Sequence, residues 1–134
     1  MIDTGDTGFM MICSALVLLM TPGLAFFYGG MVRRKNVVNT MMTSIFVIGI
    51  ATVMWVLFGY SLAFGVDHLG IIGDLSHLGL VGLTGKVGEY ASTIPDLGFA
   101  MFQMMFAIIT PALITGAVAG RMKFKALFLF IIFW

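Results

Sequence analysis

Apolar and polar residues in this chain are segregated into blocks. Runs without a single Asp, Glu, Lys or Arg extend from Thr7 to Val32, from Asn36 to Val66 and from Leu97 to Gly120. None of the three has a polar face. Crossing a hydrocarbon layer about 30 Å thick takes roughly 20 helical residues at a rise of about 1.5 Å each, and every run is longer than that. The pattern predicts transmembrane helices over about residues 8–31, 38–65 and 97–119. Asn36, Asn39, Thr40, Thr43 and Ser44 open the second run, so its first turns are expected at the membrane interface or against other helices. Residues 126–134, all apolar, are too few to span and read as the start of a fourth helix after an inner loop, 120–125. The glycine-rich connection 67–96 is long for a structureless loop. It is expected to form a short interfacial helix or a packed loop. No internal repeat and no second domain are expected.

Composition adds an exclusion. The chain is 60% hydrophobic and 10% charged, with a mean hydropathy of +1.10, against about 25% charged residues in a typical soluble domain. A water-soluble monomer is excluded, and one cysteine (Cys13) excludes a disulfide scaffold. The net charge of +1 says little, but its distribution says much. Arg33, Arg34 and Lys35 follow the first run, and Arg121, Lys123 and Lys125 follow the third. Acidic residues dominate the other two segments: Asp3 and Asp6, then Asp67, Asp74, Glu89 and Asp96 with a lone Lys86. The positive-inside rule places 33–35 and 121–125 in the cytoplasm, the N-terminus outside. The first run lacks a basic leader and is longer than a signal-peptide core of about 7–15 residues, so it is expected to remain in the mature protein.

Enzymatic signatures are missing: there is no HExxH, no CxxC and no phosphate-binding glycine loop. No enzyme activity, cofactor, metal or nucleic-acid partner is expected. His68 and His77 fall in the outer loop, where they are expected to be solvated, and Cys13 reads as a small packing residue. With no Asp, Glu, His, Lys or Arg inside a span, the chain offers no proton relay of its own. Pro22 and Pro111 each deprive a helical carbonyl of its donor, with Thr110 and Thr115 nearby as hydroxyl sources. Either a plain kink or a bent helix lining a conduit fits. Phe102 and Phe106, four apart, share a helix face, with Gln103 beside the first. Spacing alone leaves packing, lipid contact and an aromatic constriction below an outer vestibule all open. Aromatic faces hold a cation by about 0.5–2 kcal/mol, far less than the cost of carrying its charge through hydrocarbon.

Three blocks resemble the ammonium transporter (Amt/Mep/Rh) family, in family order. They are ThrProGlyLeuAlaPhePheTyrGlyGlyMetValArgArgLysAsn (21–36), TrpValLeuPheGlyTyrSerLeuAlaPheGly (55–65) and PheGlnMetMetPheAlaIleIleThrProAlaLeuIleThrGly (102–116) followed by ArgMetLysPhe. The resemblance implies an all-α polytopic membrane protein: the first three transmembrane helices, plus the start of a fourth, of an eleven-helix bundle. It implies assembly as a homotrimer in the plasma membrane. It also implies a mechanism in which ammonium is recruited at an outer aromatic site and deprotonated, and ammonia crosses a hydrophobic pore. By motif position Phe102, with Gln103, belongs to outer recruitment, Phe106 to the pore gate, and Phe27 and Tyr28 to the cytoplasmic mouth.

The family's paired pore histidines and buried aspartate belong to later helices, so His68 and His77 do not correspond to them. Nor does Trp134 correspond to the recruitment tryptophan. Gly120 departs from the Glu that commonly precedes Arg in the family. The expectation is an N-terminal portion of a transporter, competent only when full-length. The alternative is a truncated non-transporting paralogue that acts as an interaction or regulatory subunit. The basic segments 33–35 and 121–125 serve either as topology signals or as contacts for a PII-type signalling protein.

Overall fold

The computed structural model describes residues 1–134. Three long apolar helices dominate it, at Thr4–Met31, Arg34–Phe64 and Asp96–Val118, each long enough and apolar enough to cross a membrane. Helix α1 (Thr4–Met31) has 28 residues, about 42 Å of rise. It starts where Asp3 can cap it: the Asp3 carboxylate accepts from the amides of Gly5 (2.7 Å) and Asp6 (3.1 Å), filling orphan donors of the first turn. Pro22 lies inside α1 without breaking it.

After the 3₁₀ turn Arg34–Asn36, α2 (Val37–Met54) runs into a π-helical turn, Trp55–Gly59, and on into α3 (Tyr60–Phe64). The π turn was not foreseen from sequence. It coincides with Trp55, whose indole N–H donates to the Ala100 carbonyl at 3.2 Å. Helix α4 (Asp96–Val118) follows Pro95 and passes through Pro111 unbroken. The hydroxyls of Thr110 and Thr115 were expected to compensate the carbonyl that Pro111 frees. They bond instead to Phe106 O and Ala112 O, both at 2.7 Å, because a threonine hydroxyl reaches its own preceding turn first. Gly120, at φ +70°, ends α4 while the amides of Arg121 and Met122 return to Val118 O. That left-handed conformation suits glycine, which gives the departure at 120 a local reason. Helix α5 (Phe124–Phe133) completes the chain.

The connection from Gly65 to Pro95 is a packed loop that contains a small sheet, although no strand was expected. Strands β1 (Asp67–His68) and β2 (Ile72–Gly73) pair antiparallel, with Asp67 opposite Gly73 and His68 opposite Ile72. Leu69 and Gly70 make the reversal at φ 60° and 71°.

The chain packs as two compact units. One comprises Met1–Ala15 with Val53–Met104; the other comprises Leu16–Thr52 with Met105–Trp134. In the first, Tyr60, Ser61, Ala100 and Met104 are buried. In the second, Thr21 and Ala25 of α1, Ser44 and Val47 of α2, and Ile108, Ala112 and Thr115 of α4 are buried. These positions recur every three or four residues, the spacing of one helix face.

Candidate functional site

The first unit carries the outer loop, and its hub is a buried hydroxyl. Ser61, fully buried, donates to the Asp74 carbonyl (2.8 Å) and accepts from the His77 amide (2.9 Å). The Asp74 carboxylate gathers the Ser76 hydroxyl (2.6 Å) and the amides of Ser76 (3.1 Å) and Val66 (3.2 Å). Chiefly the Ser76 hydrogen bonds, with smaller help from Val66 and His68, hold the Asp74 carboxyl below the ordinary carboxylate range. His77 is half-buried, not solvated as expected. Its Nδ1–H donates to Val81 O at 3.1 Å and its ring stands edge-on to Tyr60 at 6.2 Å. His68 is exposed.

Around this hub sits an aromatic cluster. Phe64 contacts Tyr60 (5.2 Å), Tyr90 (5.1 Å) and Phe99 (5.3 Å), and Trp55 approaches Tyr60 and Phe64 edge-on at 6.0 and 6.2 Å. Phe102 and Gln103 lie on α4 in the same unit, both half-buried. A sequence reading had no means of finding the Ser61–Asp74–His77 hub, because its partners meet only after the loop has folded back.

The second unit holds the remaining candidates. Phe106 is 42% exposed on α4. Phe27 and Tyr28, rings 5.8 Å apart, line a cleft of about 380 Å³ with Met31, Gly116 and Arg121. Tyr28 is fixed twice. Its hydroxyl donates to Leu113 O at 3.0 Å, and its ring lies so close over Gly116 that any Cβ there would collide with it. Phe27 is 61% exposed and has no such lock. Missed from sequence was the buried pair Ser44–Thr115, hydroxyl to hydroxyl at 2.9 Å. Its members lie 71 residues apart, and only the helix packing brings them together.

Comparison with known proteins gives this geometry its context. The Ammonium Transporter Family model matches residues 8–134. An ammonium transporter of Bacillus subtilis is 54% identical over 130 residues, 97% of this chain and 32% of that protein. One from Mycobacterium bovis is 51% identical over 147 aligned positions, 98% of this chain and 31% of that protein. Among solved structures, Mep2 of Candida albicans superposes with a TM-score of 0.88 at 29% identity, over 99% of this chain and 29% of that one. Mep2 of Saccharomyces cerevisiae gives 0.86 at 30% identity, with 99% and 31% coverage. The chain therefore spans about a third of the length of the relatives it matches. It belongs to the Ammonium Transporter Family, as a polytopic membrane chain of apolar helices.

Proposed function

We propose that this chain supplies the N-terminal third of a conduit that moves ammonium across the plasma membrane as ammonia. The single observation that carries the reading is the family match over residues 8–134 at up to 54% identity to ammonium transporters. Phe102 with Gln103 recruits the cation from outside, Phe106 gates the pore, and Phe27 and Tyr28 form its cytoplasmic mouth. The N-terminus lies outside, and full-length subunits assemble as homotrimers. Supporting this, charge-free spans cannot carry an ion unaided, so a proton must leave before passage. The acceptor comes from helices beyond these three, because none of their charge-free runs contains an Asp, Glu or His.

The spans are also mostly uncovered. Only 11%, 22% and 33% of their most apolar windows is buried, leaving broad faces for lipid or further helices. The chain alone is accordingly inactive.

The test replaces the N-terminal third of the Bacillus subtilis relative with residues 1–134 and measures methylammonium uptake by cells. Uptake by the chimera is expected, with Phe102→Ala raising the half-saturating concentration and Phe106→Ala altering the rate. A chimera that reaches the membrane yet takes up nothing, or uptake by residues 1–134 alone, would contradict the reading.

A second reading rests on the clustering of six of the seven basic residues in 33–35 and 121–125: a non-transporting subunit that joins full-length trimers or presents these segments to a PII-type protein. Co-purification with a full-length relative, without any gain of uptake, separates the two.

A further inference from the structure

The first unit contains a cavity that none of the assigned residues occupies. It measures about 290 Å³ and lies between the end of the second span and the folded loop. Tyr60, Phe64 and Tyr90 supply aromatic walls, Glu89 and Asp96 supply carboxylates, and His77 supplies an imidazole. Phe64 and Tyr90 rings stand 5.1 Å apart at 70°, and Tyr60 and Phe64 stand 5.2 Å apart at 31°. The three rings line one cavity at different inclinations to one another, and a cation within roughly 6 Å of a ring face is attracted by its quadrupole.

Two hydrogen bonds tie the walls together. The Tyr90 hydroxyl donates to Phe64 O at 3.1 Å, and the Asp96 amide donates to Lys86 O at 3.0 Å. The Asp96 carboxylate lies against the Gly88 backbone, where any larger residue would collide with it. His77 donates through Nδ1 to Val81 O, so Nε2 of the neutral ring is left as an acceptor. No lysine or arginine lines the cavity; Lys86 is exposed outside it. Besides the apolar side chains of Val66 and Leu83 and three glycines, the lining consists of aromatic rings, two carboxylates and an imidazole. At about 30 Å³ per water molecule, there is room for a small cation and several waters.

We infer that this cavity is a binding site for a small ammonium-type cation, separate from Phe102, Gln103 and Phe106. Carboxylates draw the cation in, and the rings discriminate for a soft, weakly hydrated N–H or N–CH₃ cation. The choice of cation rests on the proposed ammonium function; the site itself rests on the cavity.

Trp55, edge-on to Tyr60 and Phe64, is a built-in reporter. With Trp134→Phe, Trp55 is the single tryptophan left of the two in the chain. The chain in lipid nanodiscs is titrated with methylammonium chloride and, separately, potassium chloride at constant ionic strength. A saturable change in Trp55 emission is expected with methylammonium and not with potassium. Glu89→Gln is expected to raise the half-saturating concentration about fivefold, the loss of one partly exposed charge contact. Tyr90→Leu should raise it about two- to fivefold, whereas Tyr90→Phe, which keeps the ring, leaves it within about twofold. Phe9→Ala, an exposed position on α1 away from the cavity lining, should leave it unchanged.

The absence of a saturable response, an equal response to potassium, or a response indifferent to both Glu89→Gln and Tyr90→Leu would overturn the site. Binding here alongside a silent transport chimera would sink the transport reading and leave the site standing. Transport without binding here would sink the site alone.

Discussion

The two compact units are held together by different chemistry. Around Ser61 and Asp74, order comes from side chains that satisfy backbone groups: one buried hydroxyl and one carboxylate serve five hydrogen bonds within a connection of otherwise irregular backbone. Around Tyr28 and Gly116, order comes from close approach of helices whose own backbones are already satisfied. There the useful residues are small, and a ring lies on a glycine. Irregular backbone needs donors and acceptors brought to it. Helices in lipid need only fit, because apolar side chains gain little by leaving hydrocarbon. One chain thus uses polar stapling in its loop and steric complementarity in its spans.

The largest effect is expected where fit is tightest. Gly116→Val drives a branched side chain into the Tyr28 ring, an overpacking that costs about 1–3 kcal/mol. Thermal unfolding in detergent should register it, and Tyr28→Ala in the same chain should recover part of the loss. Full stability in Gly116→Val alone would break the steric half of the comparison.

Next is Asp74→Ala, which removes the acceptor for Val66 and Ser76. Amide exchange at both should accelerate while exchange in α4 stays unchanged. The native chain should show the same loosening on acidification. The Asp74 carboxyl is held below its ordinary value in the fold, so its contribution is complete above about pH 3.9. It is lost as pH falls through the lowered folded value. Loop exchange indifferent to both changes would show that the staple is idle.

The smallest effect is expected from Thr115→Val. Ser44 keeps its bond to Thr40 O (3.2 Å), so the loss should be near the average of about 0.6 kcal/mol for a polar contact between membrane helices. A double-mutant cycle with Ser44→Ala measures it. A coupling several times larger would mean that the spans, too, depend on polar stapling.

How much of this was legible in advance follows the same division. The three spans were readable because freedom from charge over more than about 20 residues has few other meanings, and α5 announced itself as an apolar run after a basic segment. The hairpin at 67–73 was not readable, since its register depends on Ser61 and Asp74 meeting across the loop. Nor was the π turn at Trp55–Gly59, whose indole contact lies 45 residues away. Of the candidate site residues, spacing marked Phe102 and Phe106 as a pair and no more; their roles came from family resemblance. Tyr28 was flagged, yet the Gly116 notch that fixes it is a distant pairing that no local pattern encodes. The cavity bounded by Tyr90 and Glu89 is a product of loop closure and left no periodic trace.

The most direct test concerns threading. With Cys13→Ser, single cysteines at positions 34, 69 and 123 are labelled from outside intact cells with an impermeant maleimide. The account expects position 69 to react and positions 34 and 123 to react only after the membrane is opened. Labelling of 34 and 123 from opposite sides would contradict it, because an even number of crossings between the two basic segments would then be impossible.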